Sequence, residues 1–260
     1  MKKSKQLKIL FYDILTGDAA VRSAIEEKVY GGSTYSESMR VAFGLKSGAW
    51  QVVDASRNAN PSLSGIEAVV MGGSVEDPIE GAEKPWMEGA YQFIRNCAQK
   101  KIPMLGICGG LQFTVRALGG TVIYNPRGRE FGSVVVTLNR KGMSDGLFRG
   151  LKNNIVVQES HKCMASGLKP EWELLGSSKL CEFQAIAIGD RIRLLQFHPE
   201  MSATQLKIIA RMRKETLLKE GFVKNEPAYK KFLLSVRRTR KIGKKILENF
   251  LNLTNFNKSC

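Results

Sequence analysis

The chain has 260 residues, 43% of them hydrophobic and 25% charged, with a formal net charge of +16. That length and composition fit one sizeable α/β core and set disorder aside. No stretch has the length and apolarity of a membrane span, and the five cysteines lack zinc-ligand spacing, which points to a reducing, cytoplasmic setting rather than a disulfide framework.

The first segment, Met1-Lys2-Lys3-Ser4-Lys5, is basic in the manner of a signal n-region, but the apolar run after it stops at Asp13 and is too short for an h-region. Residues 7–13 read as the first strand, through the continuous apolar run Ile9, Leu10, Phe11. Helix is expected within residues 19–28, and again from Tyr35 to Phe43, with Ser33 or Thr34 as cap and Gly44 or Gly48 as stop. Residues 50–54 read as a second strand and 58–65 as a loop. A third strand, 67–71, runs straight into Gly72-Gly73-Ser74. Residues 86–100 then have helical spacing.

The chain is organised around Pro103-Met104-Leu105-Gly106-Ile107-Cys108-Gly109-Gly110-Leu111-Gln112. A short apolar strand ends at Cys108, two glycines follow, and Leu111, Val115 and Leu118 share one face of a helix. A thiol at a sharp strand-to-helix turn stands above the sheet at a helix N-terminus, where free N–H groups favour a thiolate. On its own such a cysteine also fits a plain buried turn. A second stretch weighs against that: Leu194-Leu195-Gln196-Phe197-His198-Pro199-Glu200. It is another apolar strand, ending in one of only two histidines, with a carboxylate two residues on. A cysteine nucleophile needs such a base, and the base needs an orienting partner.

Between these stretches, 121–124, 133–138 and 155–158 read as strands, and Ser160-His161 as following the last of them. Three short strands are expected at 173–177, 183–188 and 192–197, with a hairpin turn at Gly189-Asp190. Beyond Ser202, one helix is expected through Leu206, Ile209, Ala210, Leu217 and Leu218 to a stop at Gly221, and a final helix from Glu226. Residues 201–260 hold 15 Lys/Arg against 4 Asp/Glu, a net of +11, which leaves +5 for the first 200. With little aromatic interleaving, this reads as a solvated basic face rather than a nucleic-acid surface.

The elbow Gly106-Ile107-Cys108-Gly109-Gly110-Leu111-Gln112 and the His198-Pro199-Glu200 turn together resemble the class I glutamine amidotransferase family. Glu76-Asp77-Pro78 with Pro85-Trp86, Asn125-Pro126, Arg129-Glu130-Phe131-Gly132, Asp145 to Phe148 and Ile246 to Leu251 resemble the subgroup similar to the glutaminase part of GMP synthase. The resemblance implies a single domain over 1–260: a three-layer, flavodoxin-like α/β sandwich with a mixed central sheet, residues 1–200 as catalytic core, and basic C-terminal helices packed on it. It implies Cys108, His198 and Glu200 as the triad, Gly73 and Gly109 N–H groups as oxyanion donors, and Gly72, Gln112, Ser160 and His161 on the substrate side. Two departures stand out. The subgroup has an Asp two residues after its counterpart of His161, where this chain has Cys163, and a Leu, Phe or Tyr where this chain has Gly109. From sequence, Gly109→Leu is expected to leave activity unchanged or raise it.

The implied activity is hydrolysis of the glutamine side-chain amide to glutamate and ammonia through a Cys thioester, with no metal or organic cofactor. No Walker A or Ser-Gly-Gly-x-Asp-Ser loop is present, so a separate synthetase would accept the ammonia. The other readings are a γ-glutamyl peptidase or hydrolase, and a non-catalytic protein binding partners through its basic tail. Oligomeric state is not legible.

Overall fold

The computed structural model describes residues 8–256; the basic segment 1–5, Leu7 of the first expected strand and Cys260 lie outside the described residues. The chain opens with β1 (Ile9–Asp13), whose five residues are all buried. Asp18 then accepts hydrogen bonds from the Ala20 and Val21 amides to start α1 (Ala19–Tyr30). Thr34 caps α2 (Tyr35–Ala42) by accepting from the Glu37 amide. Strands β2 (Trp50–Asp54) and β3 (Ala68–Met71) follow, then α3 (Pro85–Gln99), with Pro85 in its first turn, where no N–H is needed. The apolar run before the elbow is β4 (Met104–Ile107), and the elbow leads into α4 (Gly109–Ala117).

The next elements are β5 (Thr121–Tyr124), β6 (Glu130–Leu138), the short α5 (Arg140–Ser144), β7 (Asn154–His161), β8 (Cys163–Ser166), β9 (Trp172–Ser177), β10 (Ala185–Ile188) and β11 (Ile192–Leu195). Four helices close the chain: α6 (Ala203–Met212), α7 (Lys214–Lys219), α8 (Glu226–Ser235) and α9 (Arg240–Phe256). Nine strands form one mixed sheet in the order β2-β1-β3-β4-β11-β10-β9-β6-β7, parallel as far as β11 and antiparallel beyond it. Strands β5 and β8 pair apart from it.

Alternation along the parallel strands divides the core. Leu10, Tyr12, Val69, Met71 and Met104 pack on one face with Phe93 and Ile94 of α3 and Leu111 and Val115 of α4. Ile9, Phe11, Val70, Leu105 and Ile107 pack on the other with Met39 of α2 and Ile246 and Phe250 of α9. Strands buried on both faces are what continuous apolar runs encode, and helices on both sides give the three layers expected from sequence.

Three expectations need correction. Strand β7 runs on through Ser160 and His161, because Phe131 pairs with Ser160 and Glu130 with His161. The helix expected through Leu218 breaks at Arg213, which ends α6 and precedes α7. The final helix breaks between α8 and α9, where Ser133 Oγ accepts from the Arg237 amide at 2.8 Å and Gln158 Nε2 donates to the Arg237 carbonyl at 2.7 Å. Those bonds to strands β6 and β7 satisfy backbone groups that a continuous helix would have used. Helix α9 lies so close to the His-Pro-Glu turn that a Cβ on Gly243 would fall 1.8 Å from the Pro199 carbonyl oxygen.

Candidate active site

The carboxyl ends of β4 and β11 lie side by side, since Ile107 pairs with Leu195 in parallel register and the Cys108 amide donates to the Leu195 carbonyl at 2.7 Å. Cys108 therefore leaves its strand beside the point where His198 leaves the other. Its backbone has φ 51° and ψ −101°, a left-handed conformation that a non-glycine residue adopts at a cost of about 1–3 kcal/mol. The strain has a use: it turns the chain sharply so that the thiol stands at the N-terminus of α4. The residue is 5% exposed.

His198 is anchored by its amide, which donates to the Gln158 carbonyl of β7 at 2.9 Å. Its Nδ1 lies 2.7 Å from Glu200 Oε1, which leaves Nε2 for the cavity that Cys108 also lines. Burial alone would lower the imidazole pKa, but the Glu200 carboxylate and the Cys108 sulfur hold it well above the usual histidine range. Burial pushes the Cys97 thiol up to about 12 and raises those of Cys163 and Cys181 as well, so these three are poor nucleophiles.

A cavity of about 270 Å³ opens over the sulfur, between α1 and α2 on one side and α6 on the other. Tyr30, Tyr35, Gly73, Ser160 and Arg213 line it together with Cys108 and His198, and aliphatic side chains of α1 and α6 complete its walls. Arg213 enters through the break between α6 and α7. Its Nη1 lies 3.1 Å from Ser160 Oγ, and among the described residues no carboxylate pairs with it. Burial and the neighbouring Arg129 pull its guanidinium below the ordinary range. A half-buried cation with no carboxylate in direct contact among the described residues, facing a cavity, is a place for an anionic group of a ligand.

The expected site residues do not all meet there. Gly73 and Ser160 line the cavity, while Gly72, Gln112 and His161 lie outside its lining. Gln112 turns to the floor: its Nε2 donates to the Cys163 carbonyl at 3.0 Å and to Gln196 Oε1 at 3.2 Å. Gln196 in turn places Nε2 3.7 Å from Cys108 Sγ. Its signal in sequence is a polar residue between apolar Leu195 and Phe197, just past the end of β11. His161 points away from Ser160 because successive strand residues face opposite ways. It is 3% exposed, with Nδ1 2.9 Å from the Cys163 carbonyl and Nε2 3.2 Å from Glu130 and 3.3 Å from Glu159. Burial would lower its pKa, but the two carboxylates raise it to about 10. The sequence places His161 after a strand and the resemblance puts it on the substrate side; in the structure it ends β7, buried between the Glu130 and Glu159 carboxylates. Donor atoms of Glu130, His161 and Cys181 lie within 4.8 Å of one another, a spacing a metal could use, yet Glu130 is already held by Ser178 and Gln184. Cys163, at the departure position, sets its sulfur 3.3 Å from Asp77.

The glycines at the elbow fit tightly. A Cβ on Gly109 would meet the Ser74 amide nitrogen at 2.4 Å and Ser74 Cβ at 2.7 Å. The space that Leu, Phe or Tyr would need is filled by the 72–75 loop, which reverses the expectation for Gly109→Leu. The Gly73 amide is also not free: it donates to the Tyr35 hydroxyl at 2.6 Å.

Residues 33–212 match the family model described as glutamine amidotransferase class-I. The chain is 33% identical over 150 residues to a glutamine amidotransferase-like protein of Schizosaccharomyces pombe, covering 55% of this chain and 58% of that one. It is 32% identical over 144 residues to one subunit of the glutamine-hydrolysing GMP synthase of Thermoplasma acidophilum, covering 55% of this chain and 68% of that one. Against γ-glutamyl peptidase 3 of Arabidopsis thaliana it is 25% identical over 243 residues, or 90% of this chain and 94% of that one. In fold it is similar to a glutamine amidotransferase crystal structure from Thermotoga maritima, with a TM-score of 0.72 at 22% identity over 96% of this chain and 98% of the other. With its elbow cysteine, its histidine turn and more than half its length matching the family model, the chain belongs to the class I glutamine amidotransferases, a family of enzymes.

Proposed function

We propose that the chain hydrolyses the side-chain amide of glutamine at Cys108. The observation that carries this reading is one cavity lined by Cys108, by His198, whose Nδ1 is held by Glu200 at 2.7 Å, and by the Arg213 guanidinium. In the first half-reaction the thiolate bonds to the amide carbon and the carbonyl π pair moves to oxygen. Collapse re-forms the carbonyl and breaks the C–N bond, with the nitrogen taking the His198 proton as ammonia leaves. Water then attacks the γ-glutamyl thioester while His198 takes its proton, and the thiolate departs from glutamate. Glu200 holds the ring in the useful tautomer throughout. Arg213 meets the α-carboxylate of the substrate, with Ser160 fixing the guanidinium from the side.

The ammonia would pass to a separate synthetase, the arrangement suggested by similarity to a GMP synthase that is divided into subunits. A second reading has its own support. The match to a γ-glutamyl peptidase runs over 90% of the chain, where those to GMP synthase subunits stop near half. In that reading the same thioester forms from a γ-glutamyl peptide, and the leaving group is an amino acid or peptide amine. Incubating wild type and Cys108→Ala with glutamine and with γ-glutamyl dipeptides separates the two. Cys108-dependent ammonia from glutamine supports the first, cleavage of the dipeptides alone supports the second, and no difference between the proteins rejects both.

A further inference from the structure

The residue that departs most from what the motifs lead one to expect is Tyr35. It begins α2, 38 positions before the loop it touches, and is 2% exposed. Its hydroxyl takes the Gly73 N–H, the very amide assigned from resemblance to the oxyanion. The seat for it depends on glycine: a Cβ on Gly72 would fall 2.1 Å from the phenol oxygen. The ring is locked. Phe11 meets it edge-on with centroids 5.5 Å apart, Tyr30 stacks on it at 5.3 Å, and Glu26 holds its backbone amide at 3.0 Å.

Burial, then the Glu200 charge, raise the phenol's pKa well above 10, so the group stays neutral and keeps its proton. Among the described residues no acceptor takes that proton. Tyr35 lines the same cavity as Cys108 and His198, and a Cβ on Gly73 would have both the phenol oxygen (3.6 Å) and His198 Nε2 (3.9 Å) within contact range. An N–H donated into a hydroxyl oxygen polarises the O–H beyond it.

We infer that Tyr35 is a further catalytic residue: its hydroxyl, polarised by the Gly73 amide, donates the hydrogen bond that receives the oxyanion on the substrate carbonyl. The amide acts through the phenol rather than on the substrate. Tyr side chains serve as oxyanion donors elsewhere, and loss of one such donor costs about 10²–10³ in kcat. The inference rests on the thioester reading above.

The test is Tyr35→Phe, assayed for turnover on the substrate that wild type consumes, and for alkylation of Cys108 by iodoacetamide followed on the Cys108 peptide by mass spectrometry. Alkylation displaces iodide at a saturated carbon and forms no oxyanion. The expected result is a fall in kcat of at least tenfold, KM within threefold, and an alkylation rate within twofold of wild type, which also shows an intact site. Gly72→Ala, which must displace the phenol, should lower kcat in the same way and spare alkylation. An unchanged or higher kcat in Tyr35→Phe would overturn the proposal, since it would mean the phenol only covers the amide. A parallel loss of alkylation would overturn it too, by placing Tyr35 with the nucleophile instead. A wild type without Cys108-dependent turnover would defeat the thioester reading itself, and is recognised by the Cys108→Ala control.

Discussion

Replacing Gly109 by Ala adds a single methyl group, and two effects of opposite sign follow. In the first turn of a helix, Gly→Ala is normally stabilising, by up to about 1 kcal/mol. Here the methyl carbon would stand 2.4 Å from the Ser74 nitrogen and 3.1 Å from the Gly73 carbonyl carbon. Ordinary contact begins near 3.4 Å, so the 72–75 loop must retreat by 3.4 − 2.4 = 1.0 Å. The obstacle is backbone, which cannot rotate aside, and overpacking of this kind costs about 1–3 kcal/mol. The net loss of stability is then small, on the order of 0–2 kcal/mol. The effect on rate is larger. The moving loop carries Gly73 and with it the hydrogen bond to Tyr35, and a 1 Å misplacement of a reacting geometry costs about 10²-fold. Steady-state amide hydrolysis, thermal melting and Cys108 alkylation, measured on the same preparation, separate the terms. We expect kcat/KM about a hundredfold down, with melting a few degrees lower at most and alkylation retained. A folded Gly109→Ala protein with kcat/KM within threefold of wild type would refute the close packing of loop on elbow. The same argument makes Gly109→Leu more damaging still.

Two further outcomes follow from the site. Arg213→Met should raise KM about 10–100-fold and change kcat less than fivefold, because a charge-assisted bond worth about 1.5–3 kcal/mol would be lost from ground and transition states alike; an unchanged KM would remove Arg213 from carboxylate binding. His161 has a folded pKa of about 10 against an unfolded value near 6.5, so the stability it contributes is complete below about 6.5 and is lost as pH rises through about 10. The gap in urea midpoint between wild type and His161→Gln should therefore narrow from about pH 7 to about pH 10.5, and a gap that stays constant would show that His161 is not the cation between Glu130 and Glu159.

How much of this was legible in the sequence depends on the range of each contact. The strands around the site were, since Met104 to Ile107 is continuously apolar and Leu194-Leu195 closes its strand, each a short step before a residue with chemistry. The α2 cap was too, because Thr34 stands three residues before the amide it takes. What escaped depends on partners far along the chain. The polar run Gln158 to His161 looks like a strand ending in a loop until Glu130, 31 positions earlier, supplies a partner for His161. The break at Arg237 is set by Ser133 and Gln158, and no residue nearby in sequence announces it. Strand β8 is four residues long and, among the described residues, pairs only with the equally short β5. Gly109 read as freedom for the backbone, whereas the loop packed against it makes it a position with no room. Tyr35 looked like one more apolar position on a helix face, because nothing in its neighbours points to Gly73.

The contact between Gly243 and the Pro199 carbonyl has a consequence for how the end of the chain is handled. His198 and Glu200 flank Pro199, so the backbone that spaces them is propped from behind by α9. Whatever pries that helix away, whether a bulky side chain at Gly243 or a fusion that pulls on the last turns, withdraws the prop and lets the imidazole tilt. The final helix, remote in sequence from the sulfur, is in this sense part of the mounting of His198.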